Sequence, residues 1–239
     1  MRIFSSLILL SCALAGSSFG RLPINHTIHA APSAIAAYSS VGESSYKATS
    51  HRAAMRRRAI TVSVLNDVSA PVRPELINAL LEQVFAEYDR EINIEFQLIE
   101  TLPYHGDLRL FPLDQAFLLE RLHARGEIRI IFSNSTGREG DSYLTDAESA
   151  NMLAGSSHPY YGHAVIYNTE ARADKTDAAG HPALVTALKH EIAHLFGVEH
   201  TTDTRSFMYT PSSRSQGEWT DEVVEQINEQ RTRHWFPNA

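Results

Sequence analysis

The chain has 239 residues, 43 % of them apolar and 21 % charged, with 12 Gly and 10 Pro; this is a globular balance and excludes collagen, a long coiled coil and a wholly disordered chain. The formal charge of -7 is unevenly spread, because residues 1–58 carry 7 Lys and Arg against one acid, Glu43, whereas residues 59–239 carry 14 against 27. An acidic body with no Lys/Arg stripe disfavours nucleic acid as a partner, and the sole cysteine, Cys12, excludes an intramolecular disulfide and a cysteine zinc cluster. Any metal here must be held by His, Asp or Glu.

In chain order, Arg2, the apolar run Ile3–Leu10 and the small residues up to Gly20 read as a secretory signal peptide over 1–20, too short to persist as a membrane span. In the alternative reading, Leu9-Leu10-Ser11-Cys12 is a bacterial lipoprotein box that anchors the chain through an acylated Cys12. Residues 21–58 are rich in Ala, Ser and His, hold 6 basic residues against one acid, and end on Arg56-Arg57-Arg58. That composition predicts a basic prosegment, able to lie across the acidic body and suited to cleavage at the tribasic site. The folded body is then expected over 59–239.

Within that body the hydrophobic period alternates. Strands are predicted at 60–65, 92–99, 127–132 and 164–167, and helices at 74–88 behind Pro74, 113–124, 182–196 behind Pro182, and 220–233 with Thr220 as N-cap. Residues 133–162 are polar and Gly/Ser-rich, the pattern of a long binding loop. Asn25-His26-Thr27 and Asn134-Ser135-Thr136 are glycosylation sequons.

The residues that carry chemistry lie in LKHEIAHLFGVEH, Leu188 to His200. His190 and His194 are four apart and share one face of a helix, so both imidazoles can reach one ion. Glu191 projects beside them, placed to take a proton from metal-activated water without being a ligand. Gly197 can adopt backbone angles closed to other residues, which lets the chain turn and return His200 as a third ligand. Three neutral imidazoles leave the fourth position of a tetrahedral Zn2+ open, as hydrolysis requires.

These residues, together with Ser206-Phe207-Met208-Tyr209, resemble the metzincin clan of zinc metalloproteases, most closely its matrixin-type branch. The resemblance implies a metzincin-like α/β fold: a twisted, mostly parallel five-stranded sheet with two long helices, and a small C-terminal subdomain ending in a helix. It assigns His190, His194 and His200 to one catalytic Zn2+, Glu191 to general acid/base work, and Met208 to the Met-turn beneath the metal. Tyr209 directly follows Met208, whereas a tyrosine ligand would stand at the position of Thr210, so Tyr209 is not assigned to the metal. Matrixins silence their zymogen with a prosegment cysteine, and residues 21–58 contain none. They also carry a second, structural zinc; Asp141, Asp146, His158 and His163 lie in the corresponding stretch, but their spacing does not match, and one zinc is expected. The family likeness leaves Gly162–Asn168 either as a substrate-pairing edge strand or as an interior one, and by analogy puts residues 211–219 on one side of the specificity pocket.

The expected protein is therefore a secreted zinc endopeptidase acting on protein or peptide, made with its own inhibitory or chaperoning prosegment, and monomeric. The same residues also admit a non-peptide amide hydrolase or a zinc-stabilised binding module.

Overall fold

The computed structural model describes residues 55–108, 112–135, 155–210 and 214–235. The signal peptide with Cys12, most of the basic segment, Asn25, Asp141 and Asp146 lie outside the described residues.

Strand β1 (Arg58–Asp67) is interior to the sheet and buries Ile60, Val62 and Val64 on one face. It begins two residues before the apolar alternation, because Arg58 already pairs with Ile94. Helix α1 (Pro74–Ile92) starts with Pro74 in its first turn, where the missing N–H costs nothing. It runs past the predicted end at 88 and consumes Ile92, expected as the start of a strand. The stop is Asn93, held left-handed at φ 57 with its N–H on the last turn's carbonyls. Strand β2 (Ile94–Tyr104) is longer than predicted and tolerates Pro103 because it lies at the sheet edge. Helix α2 (Pro112–Arg121) and strand β3 (Ile128–Phe132) follow as expected, within a few residues.

The predicted loop 133–162 contains an element the sequence does not announce. Strand β4 (Gly155–His158) pairs antiparallel with β5 (His163–Ile166), and β5 pairs parallel with β3. The sheet order is β2-β1-β3-β5-β4, with all pairs parallel except the last. The segment left open between edge and interior is thus interior, and β4 takes the edge. The sequence Gly-Ser-Ser-His offers no apolar alternation, so periodicity had nothing to detect.

Helix α3 (Ala183–Leu195) and α1, the two long helices, share one face of the sheet with Ile128, Ile130, Phe132, Ala164 and Ile166 in the main core. The opposite face holds a smaller cluster of Leu65, Tyr104, Leu119, Ile131, Val165 and Tyr167. Helix α4 (Asp221–Glu229) closes the chain with Val223, Val224 and Ile227 buried. It ends before the predicted 233, and Thr220 occupies its N-cap without a side-chain bond: the hydroxyl is buried and unpaired. Of the sequon at 134–136, the Asn134 amide is committed at both ends, donating to Pro71 O at 2.6 Å and accepting from Glu170 N–H at 2.9 Å. No helix among the described residues is long and apolar enough to cross a membrane.

The N-terminal and C-terminal segments are stitched together. Arg58 donates to the carbonyls of Arg231 and of Arg233, the latter at 2.6 Å, and lies 5.2 Å over the Trp235 ring. Arg231 in turn donates to Arg56 O and Asn93 O, each at 2.8 Å. Trp235 Nε1 donates to Leu195 O, at the end of α3. The expected boundary after Arg58 therefore runs through the first residue of β1.

Candidate metal centre

Helix α3 ends in a motif written by its own residues. Gly197, at φ 80, donates to His194 O at 2.8 Å, and Val198 donates to Ala193 O at 3.3 Å, with the Val198 side chain buried. This paired closure needs a left-handed residue at the glycine position. It reverses the chain so that His200 comes back over the helix. Thr201 N–H then donates to Met208 O at 3.3 Å, which holds the returning strand to the Met208 segment.

The result is a triangle of imidazole nitrogens. The Nε2 atoms of His190, His194 and His200 are 3.1 Å apart along each side. His190 Nδ1 faces Phe207 O at 2.9 Å and His194 Nδ1 faces Val198 O at 2.6 Å. A carbonyl only accepts, so each of these Nδ1 atoms carries the ring hydrogen and each Nε2 presents a lone pair. Converging lone pairs at hydrogen-bond distance repel one another unless a cation lies among them. A tetrahedral Zn2+ bound at ~2.0–2.1 Å spaces its nitrogens ~3.3 Å apart, close to the observed triangle. The donor set fits zinc, and the Nδ1–carbonyl bonds are the outer contacts that fix ligand tautomers. Burial holds His190 down at about 3, with the neighbouring imidazoles adding to it, and also lowers His194 and His200, which favours in all three the neutral form that a metal ligand requires.

Glu191 points from the same helix turn toward β4. A Cβ on Gly155 would stand 2.5 Å from Glu191 Cγ, so the edge strand passes directly over this carboxyl group. Burial raises its pKa to about 7, against a smaller lowering by a hydrogen bond from Ser157. Met208 is wholly buried beside Phe207, whose carbonyl orients His190. Ser206 secures that turn: its hydroxyl accepts from Met208 N–H at 3.1 Å, and its carbonyl accepts from Ser215 Oγ at 2.7 Å.

A matrixin family model matches residues 116–226, which span α2 to α4 and contain the whole triad. Among solved structures, archaemetzincin from Methanopyrus kandleri superposes with a TM-score of 0.53 at 13 % identity, covering 73 % of this chain and 97 % of that one. The chain is similar to the matrixins over residues 116–226, and its fold is similar to that of archaemetzincin. A zinc-dependent peptidase from Methanocorpusculum labreanum aligns with a TM-score of 0.47 at 15 % identity, over 70 % of this chain and 99 % of its own. No curated protein sequence matches the chain.

Of the other residues weighed for metal, His158 and His163 are among the described ones, and they lie apart from this triad. In β4, Gly155 and Ser157 face Glu191, so by strand alternation His158 faces the opposite side of the sheet, opposite His163 in register. There His158, Tyr161 and His163 rings gather, with ring centroids of the two histidines 6.1 Å apart. Burial takes His163 down to about 3, with His158 and the buried Arg129 adding to it. Sequence reasoning missed the outer contacts of the site. Phe207 O and Val198 O are backbone groups, and Ser157 belongs to the unannounced strand.

Proposed function

We propose that this chain is a secreted zinc-dependent endopeptidase. The observation that carries the reading is the triangle of three neutral imidazoles with two Nδ1 atoms committed to carbonyls, next to a buried carboxyl group that is not one of its corners. His190, His194 and His200 would hold one ion, which supplies Lewis-acid polarisation of water and of the scissile carbonyl. Glu191 takes the proton from the attacking water and returns it to the nitrogen of the leaving amine. Its place beneath β4 keeps bulk water away from that transfer. The outer edge of β4 is where an extended substrate can add as a further strand, with main-chain hydrogen bonds presenting one peptide bond to Glu191. Met208 forms the floor of the site, and the segment from Ser215 to Trp219 borders the pocket for the substrate side chain. Secretion rests on the signal-like residues 1–20, and the basic segment that follows is the natural partner of the acidic body before processing.

The test is metal content and cleavage of denatured casein by the full chain, with and without chelator, beside Glu191→Gln. The reading requires bound zinc, cleavage lost on chelation, and loss by ~100-fold or more in the variant with zinc retained. Zinc without cleavage under any tested condition would favour a binding module, and no zinc at all would remove the basis of the assignment.

A further inference from the structure

Lys189 directly precedes the first histidine of the triad, yet it is almost fully buried, with a side chain only 5 % exposed. Its Nζ donates to Glu87 Oε2 on α1 at 2.8 Å and to Gly217 O at 2.7 Å. It also stands 5.0 Å from the centroid of the Phe207 ring and 5.8 Å from that of Trp219. Trp219 Nε1 approaches the same Glu87 oxygen at 3.4 Å, and the Tyr88 hydroxyl donates to Lys189 O at 2.8 Å. One ammonium therefore ties together α1, α3 and the segment from Phe207 to Trp219.

An ion pair taken this far from water gains little net stability over a well-packed apolar pair, so its effect is better sought in what it fixes. What it fixes is Phe207. That residue's N–H donates to Glu218 O at 3.0 Å, its ring lies under the Lys189 ammonium, and its carbonyl is the acceptor that sets the His190 tautomer. The only direct partner that His190 Nδ1 has among the described hydrogen bonds is thus positioned by the residue next to it in sequence, acting across a ring. We infer that Lys189, through Glu87, Gly217 and Phe207, is a positioning residue for the triad: it sets the register between the motif helix and the Met208 turn and thereby the aim of His190. This inference rests on the reading of the triad as a metal centre. Lys189 touches neither ion nor substrate.

The discriminating variant is the double substitution Lys189→Met with Glu87→Met in the full chain, which leaves no buried charge unpaired. Three quantities are read against wild type: the thermal unfolding midpoint, the zinc dissociation constant by chelator competition, and the visible spectrum of the Co2+-loaded protein. The expected result is unfolding close to wild type, zinc binding weakened by ~10- to 100-fold as for other groups that orient a ligand, and a shifted Co2+ spectrum. A double variant that folds and binds both metals as wild type does would overturn the inference and leave the zinc-peptidase reading standing. If the double variant does not fold, Phe207→Leu keeps the carbonyl that faces His190 and removes the ring beneath the Lys189 ammonium; weaker zinc binding supports the inference, and unchanged affinity and spectrum refute it. Wild type without zinc affinity would overturn the functional reading, and this inference with it.

Discussion

The clasp at Arg58 allows a quantitative test of how the body is delimited. Replacing Arg58 with Met keeps most of the aliphatic stem and removes the guanidinium, which is 14 % exposed, donates to two carbonyls and covers Trp235. Hydrogen bonds from a charged donor contribute ~1.5–3 kcal/mol each, and the contact with the indole ~0.5–1 kcal/mol. Freed side-chain entropy offsets ~1.5–2 kcal/mol of this. The ion pair to Glu127, at 3.4 Å and half-exposed on the acid's side, adds little. The net loss is about 2–5 kcal/mol, which for a body of this size lowers the unfolding midpoint by ~4–20 °C. Calorimetry of the full chain reads this directly, and Arg58→Lys, with a point charge in place of a fork, should recover only part of it. A midpoint within 2 °C of wild type, an order-of-magnitude bound below the expected range, would refute the reasoning. The same geometry predicts that a chain truncated after Arg58 is less stable than one that begins at Arg58, because the truncation removes the first residue of β1; equal unfolding midpoints would contradict it.

Three more outcomes follow from the site and its supports. Gly155→Ala puts a Cβ against Glu191 Cγ and 2.8 Å from Val165 O; displacing the carboxyl group should cost kcat ~10-fold or more while zinc content holds. Gly197→Ala forces a side chain into φ 80, a strain of ~1–2 kcal/mol, and should weaken zinc binding because His200 is delivered by that turn; chelator competition measures it. The loop before α3 is held by Asp177, whose carboxylate accepts from Thr186 Oγ1 at 2.9 Å and faces His181 Nδ1 at 3.3 Å. The hydrogen bond to Asp177 raises the His181 pKa; at Asp177 burial pushes upward but the bonds from His181 and Thr186 win and lower it. A raised histidine adds stability below its unfolded value near ~6.5 and loses it as pH rises through the folded value. The unfolding midpoint of wild type over His181→Ala should accordingly narrow from pH 5.5 to pH 8, by differential scanning at stepped pH values chosen around that ~6.5; a gap independent of pH would contradict the pairing.

Much of this was legible in the sequence because its signals are local. Four-residue spacing on a predicted helix put His190 and His194 together, and a glycine three residues on announced the turn that returns His200. The mostly parallel sheet was expected from the resemblance to metzincins, and the alternating periods located four of its five strands. What escaped is set by tertiary contacts. β4 exists because β5 offers it an edge, not because Gly-Ser-Ser-His favours a strand. Asn93 moved a boundary by accepting a left-handed conformation. Arg56-Arg57-Arg58 reads as a solvated cleavage site, yet Arg58 is committed to carbonyls more than 170 residues away in sequence. Nothing in the sequence singles out Lys189, and only the position of Glu87 on α1 shows why it is buried.

X-ray absorption at the zinc edge of the purified full chain tests the central claim most directly. The account predicts one zinc per chain with three imidazole nitrogens and one lighter oxygen neighbour, all at ~2.0–2.1 Å, and loss of one imidazole shell in His200→Ala. An ion surrounded chiefly by oxygen, or a spectrum unaltered by His200→Ala, would contradict it.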